Sequence, residues 1–162
     1  MRPVLGIDIN GVIIGQADKE IMQSKSGWAH LFIPAVEGSF QAISALADRF
    51  FRDRIYLVSR ARGDAKKRRL DWLEKHEFYR QTGTKTENVL FCADRVPKIA
   101  ICQRLGITHF IDNRVRVLEA LTGVTNRYLF LPGDPETGTV ASPPGIIDVR
   151  SWPEIVRKIL GT

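Results

Sequence analysis

The sequence predicts a single α/β domain, a mostly parallel sheet covered by helices on both faces. Three observations carry that prediction. Short β-rich apolar runs alternate with amphipathic helical patterns along the chain, the signature of crossover units with parallel strands. At 162 residues, the length suits one ordinary domain spanning 1–162 and hardly a second. A composition of 44% hydrophobic and 26% charged residues is that of a globular chain with a real core, which excludes disordered, collagen-like and coiled-coil classes.

The elements follow in order. Residues 4–9 form an apolar strand broken by Asp8. A helix over residues 41–50 comes next, with Phe40, Ile43, Leu46, Ala47 and Phe50 at helical spacing. Residues 55–58 read as a second strand, 65–78 as a charged amphipathic helix and 89–92 as a third strand. Pro97 can open a helix and Gly106 close it. Residues 108–111 make a fourth strand, 114–121 a helix ended by Gly123, and 127–131 a fifth strand. Pro and Gly mark 132–145 as a loop, and 146–149 can be a last short strand. Ser151-Trp152-Pro153-Glu154 is a capping-box pattern ahead of a terminal helix over 155–160.

The net charge of +6, from 24 basic and 18 acidic residues, favours anionic partners. Arg60, Arg62, Lys66, Lys67, Arg68 and Arg69 crowd one stretch with only Asp64 opposing them. Such a run is ordinarily a solvated helix face. Here its near end, Arg60 with Arg62, is read as a recruiter of anionic substrate, and Lys66 to Arg69 as mostly solvated. No apolar run approaches the roughly 18 residues of a membrane helix, and Met1-Arg2-Pro3 leads into no signal-peptide pattern. Cys92 and Cys102 lack metal or redox spacing and read as buried thiols of a reduced compartment, so a cytoplasmic location is expected. His30, His76 and His109 have no ligand spacing. Trp28, Trp72 and Trp152 are expected to pack rather than to stack on nucleic acid.

In sheets of this class, ligands bind beyond the carboxyl ends of the strands, so the polar residues there matter most. Asp8 interrupts the first strand inside Gly6-Ile7-Asp8-Ile9-Asn10-Gly11-Val12, where an unpaired carboxylate is costly and demands a partner, a metal or a task. Ser59 ends the second strand. Asp112 ends the fourth, followed by Asn113. Lys98 lies at the opening of the helix before Asp112. Singly, Ser and Asp at such places are common caps; together they form a constellation.

These residues resemble the four motifs of the haloacid dehalogenase superfamily, mostly Mg²⁺-dependent phosphatases and phosphotransferases on a Rossmann-like sheet. Asp8-Ile9-Asn10-Gly11-Val12 is similar to the family's D-x-D-G-[TV], Ser59 to the second motif, Lys98 to the third, and Asp112 with Asn113 to the acidic pair of the fourth. Lys66 and Lys67 are weaker rivals for the third motif, because they sit inside a charged helix. The motifs run from residue 4 to 113 in the family's order. The resemblance implies Asp8 as nucleophile, forming an aspartyl-phosphate. It implies Mg²⁺ held by Asp8, Asp112 and the backbone carbonyl of Asn10, with Asn113 placing a metal-bound water. Ser59 and Lys98, with Arg60 beside them, would bind the phosphoryl group. It implies also a phosphorylated substrate, and a site without a cap suits a phosphoprotein, a nucleic-acid end, or a small molecule held by a flap containing Trp28 to Phe32.

Two departures bear on activity, and Asn113 in place of the fourth motif's second acid is the milder, since a neutral amide can still position a metal-bound water. The family's general acid is Asn10 here, which cannot donate a proton near pH 7, and such assistance is typically worth ~10²–10⁴-fold in rate. The expectation is a slow phosphatase; the alternative is a binding or regulatory module that keeps the fold and the metal site without turnover. A dehalogenase fits less well, because Lys98 and Asp112 are retained and there is no room for a cap. Residues 13–38 suffice for a flap or small excursion, not for a folded cap domain. No P-loop or dinucleotide-binding glycine pattern follows any strand.

Overall fold

Leu5–Ile7 (β1) is apolar on both faces and wholly buried, as a central strand of a parallel sheet must be. The computed structural model describes residues 1–133 and 141–162; residues 134–140, inside the loop expected over 132–145, lie outside the described residues. After β1 come α1 (Lys19–Gln23), a 3₁₀ turn (Ala29–Phe32), α2 (Ser39–Leu46) running into a widened π turn (Ala47–Phe51), and β2 (Ile55–Arg60). Then follow α3 (Gly63–Lys75), α4 (Phe78–Thr82), a 3₁₀ turn (Thr86–Asn88), β3 (Val89–Cys92) and α5 (Arg95–Leu105). The chain continues through β4 (His109–Asp112), α6 (Val115–Ala120), β5 (Asn126–Phe130), β6 (Ile146–Val149) and α7 (Trp152–Leu160).

The six strands of the described residues are all parallel, in the order β3-β2-β1-β4-β5-β6. The chain runs from β1 to β2 and β3 on one side, then crosses through α5 to β4 on the other side of β1, and this reversal opens a crevice at the carboxyl end of β1. One face is covered by α2, α3, α4 and α7 through Phe40, Ile43, Trp72, Phe78, Trp152 and Ile155. The other face is covered by α5 and α6 through Cys102, Val117 and Leu118 against Val58, Phe110 and Leu129. Helices on both faces of one parallel sheet, without a large cap, is the architecture the alternation predicted. Gly6 is what lets Phe110 lie against β1: a Cβ there would stand 2.5 Å from its ring.

Several boundaries differ from expectation, each for a local reason. The helix expected over 65–78 is divided, because Glu77 adopts a left-handed conformation that starts a second helix, ended by Gly83. No glycine marks the break at Glu77, so the sequence hides it. The helix expected to open at Pro97 starts at Arg95, with Pro97 still in the first turn, where amide hydrogens lack helical partners anyway. β2 extends through Ser59 to Arg60, and α6 stops at Ala120, ahead of Gly123. One half of the terminal capping box is present, Ser151 Oγ accepting from the Glu154 amide, while the Glu154 carboxylate accepts from the amide of Arg150, one residue ahead of the N-cap. Trp72 and Trp152 are buried as expected. Trp28 is not; it is 61% exposed and meets the equally exposed Phe32 edge to face.

The base of the excursion over 13–38 is closed by backbone bonds, Gly15 N–H to the Pro34 carbonyl and Val36 N–H to the Ile13 carbonyl, both 2.8 Å. Its short α1 buries no residue. Among the described residues, no helix is long and apolar enough to cross a membrane.

Candidate active site

Asp8 leaves the carboxyl end of β1, fixed by its amide donating to the Ile111 carbonyl of β4 (3.0 Å). The chain then turns back over residues 9–14, with the Ile13 and Ile14 amides both donating to the Ile9 carbonyl. Gly11 is required in that turn twice over. Its φ is +81°, and the space a Cβ would take is filled by the Asn113 amide. This packing couples the first motif to the residue after Asp112.

Lys98, from the first turn of α5, reaches into the crevice and is only 1% exposed. Its Nζ lies 3.0 Å from Asp112 Oδ2 and 3.5 Å from Asp8 Oδ1, with the Phe110 ring centroid at 5.0 Å. Asp112 is wholly buried, and its other oxygen accepts from the Arg114 amide at 3.0 Å. Burial, reinforced by Asp8, pushes the Asp112 carboxyl up to about 6 against the pull of Lys98. Two buried carboxylates sharing one ammonium is an arrangement short of positive charge.

That shortage bears on the expected cation. The Asn113 Oδ1 is buried and has no hydrogen-bond partner among the described residues. Two carboxylates and an unpaired amide oxygen form an all-oxygen donor set suited to a hard cation such as Mg²⁺. The residues present therefore fit the ion. Among the described residues there is no cluster of three or more His, Cys, Asp or Glu.

Ser59 is fully buried in β2, two residues past Leu57, the partner of Ile7. Its Oγ accepts from an Arg69 guanidinium N–H at 2.7 Å, and the same nitrogen donates to the Arg60 carbonyl at 2.5 Å. The hydroxyl proton of Ser59 stays free to donate. Arg69 was expected to be solvated with its neighbours; instead it is half-buried, and burial pushes its guanidinium below the usual value while Asp8 pulls it back. Arg69 is thus a site residue the sequence reading missed. The signal was available: Arg69, Trp72, Leu73 and His76 fall at i, i+3, i+4 and i+7, the inward stripe of α3.

The structure brings Asp8, Lys98, Asp112 and Asn113 together, with Ser59 and Arg69 alongside. Asn10 sits on the turn beside them and is exposed. Arg60 contributes its carbonyl, but among the described residues no hydrogen bond or ion pair joins its side chain to the others. Its Nε is buried without a partner. Arg62 is exposed and pairs with Asp94 at 3.2 Å. Cys92 and Cys102 are buried free thiols, and burial pushes Cys102 up to about 12.

No family model and no curated protein matches the sequence. Solved structures do match the fold. The D,D-heptose 1,7-bisphosphate phosphatase of Burkholderia thailandensis is similar with a TM-score of 0.68 at 17% identity, covering 99% of this chain and 100% of the other. A haloacid dehalogenase-like family hydrolase from Xanthomonas campestris gives a TM-score of 0.64 at 7% identity, covering 99% and 95%. At such identities the likeness is one of architecture, and the chain has the haloacid dehalogenase-like fold.

Proposed function

We propose that the chain is a Mg²⁺-dependent phosphomonoester hydrolase that works through a phosphorylated Asp8. The observation that carries this reading is the buried Asp8–Lys98–Asp112 cluster at the crevice of the sheet. Asp8 and Asp112, with the Asn10 carbonyl and Asn113, would hold the ion, which supplies charge neutralisation for the transferring phosphoryl group. An Asp8 oxygen attacks phosphorus, forming a P–O bond to the carboxylate and breaking the ester P–O bond. The electron pair of the broken bond leaves with the alkoxide. Lys98 and Arg69 offset charge on the phosphoryl oxygens, and the Ser59 hydroxyl donates to one of them. Water then attacks phosphorus, releases inorganic phosphate and returns the Asp8 carboxylate.

Asn10 supplies no proton at the first step and takes none at the second. Esters with good leaving groups tolerate the first deficit; alkyl phosphates do not. Turnover is therefore slow. The substrates are phosphorylated small molecules, phosphoproteins or nucleic-acid ends, met in the cytoplasm, where two buried free thiols are at home. The excursion over 13–38 acts as a flap. Asn10 also favours a second reading, a metal-binding regulatory module without turnover.

Hydrolysis of p-nitrophenyl phosphate, with and without Mg²⁺, separates the two. The enzyme reading expects Mg²⁺-dependent release by wild type and loss in Asp8→Asn and Asp112→Asn. Absence of release by wild type, with Mg²⁺ still bound in calorimetry, selects the regulatory module.

A further inference from the structure

The excursion and α3 flank a cavity, open to solvent on one side, of about 220 Å³ with apolar walls from Ile14, Ile33 and Trp72 and a polar edge of Asn10, His30, Arg68 and Arg69. It opens off the reaction site at two points. Asn10 belongs to the turn that follows Asp8, and Arg69 holds Ser59. The cavity is also preformed. Trp72 Nε1 donates to the Ile33 carbonyl, and a His76 ring nitrogen is hydrogen-bonded to the Leu31 carbonyl, each at 2.8 Å, which fastens its roof to α3.

Two groups on this cavity have no assigned partner. His30 Nε2 is buried without a hydrogen bond among the described residues. Arg68 has no ion pair among them, whereas Arg62, Lys67 and Arg69 of the same basic run are engaged. Lys67 pairs with Asp71 at 2.7 Å, and Arg62 pairs with Asp94. Burial first, then the charges of Arg68 and Lys67, pushes the His30 imidazole below the ordinary value, and Asp71 opposes them. A cavity of this size holds about seven waters at ~30 Å³ each, room for a few-atom tail.

We propose that this cavity is a subsite for a second anionic group of the substrate, a carboxylate or second phosphate held by His30 and Arg68 while the reacting phosphate sits at Asp8. The inference rests on the phosphomonoester reading and narrows it to small, doubly anionic phosphates. The His30 Nε2, shielded from water and unpaired, gives such a ligand more than a solvated nitrogen would, whereas the exposed Arg68 adds charge.

The test uses phosphonates, which cannot be hydrolysed, so it does not depend on turnover. Calorimetry with Mg²⁺ compares 3-phosphonopropionate and propane-1,3-bisphosphonate with propylphosphonate, which has the same chain length and no second anion. The expected result is about 10- to 100-fold tighter binding of at least one dianionic ligand; which one wins identifies the second group. Arg68→Ala and His30→Gln should abolish the preference and leave propylphosphonate affinity unchanged. Lys66→Ala, which removes a charge from the same helix outside the cavity, should preserve it. The subsite is overturned if wild type shows no preference, if both variants keep it, or if Lys66→Ala erases it equally. Thermal unfolding checks that His30→Gln is folded; Arg68 is exposed, so its variant reports even if His30→Gln fails. If propylphosphonate binds but the preference is absent, only the subsite fails. If none of the three binds, the phosphomonoester reading fails with it.

Discussion

Lys98→Met replaces a buried ammonium with an apolar side chain of similar length and strands two carboxylates. Unit charges 3.0 Å apart, as Lys98 and Asp112 are, attract by about 5 kcal/mol at an effective dielectric near 20. Much of that offsets the dehydration of three buried groups, so the expected net loss is the ~3–5 kcal/mol typical of removing one partner of a buried pair. The loss depends on pH. Asp112 already stands at about 6 with Lys98 present, and without Lys98 it rises further. An acid whose folded pKa exceeds its unfolded value takes up a proton on folding. The stability it contributes is therefore complete below the unfolded pKa and lost as pH rises through the folded one. The deficit of Lys98→Met should accordingly be small near about pH 5 and largest near about pH 8. Mg²⁺ should narrow it at the higher pH by supplying the missing charge. Urea unfolding at the two pH values, with and without Mg²⁺, measures all three effects. A variant as stable as wild type at the higher pH, or a deficit equal at both, would refute the reasoning.

Asn10→Asp should speed hydrolysis of an alkyl phosphate by ~10²–10⁴-fold and change an aryl phosphate much less, since only the poor leaving group needs a proton; equal effects on both would remove Asn10 from the chemistry. Fresh protein is needed, with Asn10 verified by mass spectrometry, because deamidation before Gly11 would mimic the variant. Arg69→Gln should weaken binding of inorganic phosphate by about 10- to 100-fold in calorimetry, the worth of a charged hydrogen bond, whereas Lys66→Gln should do little. Mg²⁺ affinity should fall as pH drops below about 6, because protonated Asp112 no longer ligates, and it should level off above that; a flat profile would take Asp112 out of the metal site.

The fold was legible because its central strands β1, β2 and β4 are largely buried on both faces, which leaves clear apolar runs between amphipathic helices. The same contrast exposed Asp8 and Asp112, since a carboxylate at the end of such a run breaks the pattern. Arg69 stayed hidden because a run of basic residues masks which one turns inward; only its spacing to Trp72 and Leu73 separates it from Lys66 and Lys67. The division at Glu77 was illegible for a different reason: a left-handed residue that is not glycine carries no local signal. His30 sits in a short 3₁₀ turn within a polar stretch, and what places it on the cavity is tertiary, the anchoring of that turn by Trp72 and His76.

The central claim is that Asp8 carries the phosphoryl group. Incubation with p-nitrophenyl phosphate and Mg²⁺, an acid quench and borohydride reduction would convert an acyl phosphate at this position to homoserine. Peptide mass spectrometry of residues 1–19 would locate the product. The account predicts homoserine at position 8 in wild type and none in Asp8→Asn. Substrate hydrolysed without that product, or a phosphoryl group trapped elsewhere, would contradict it.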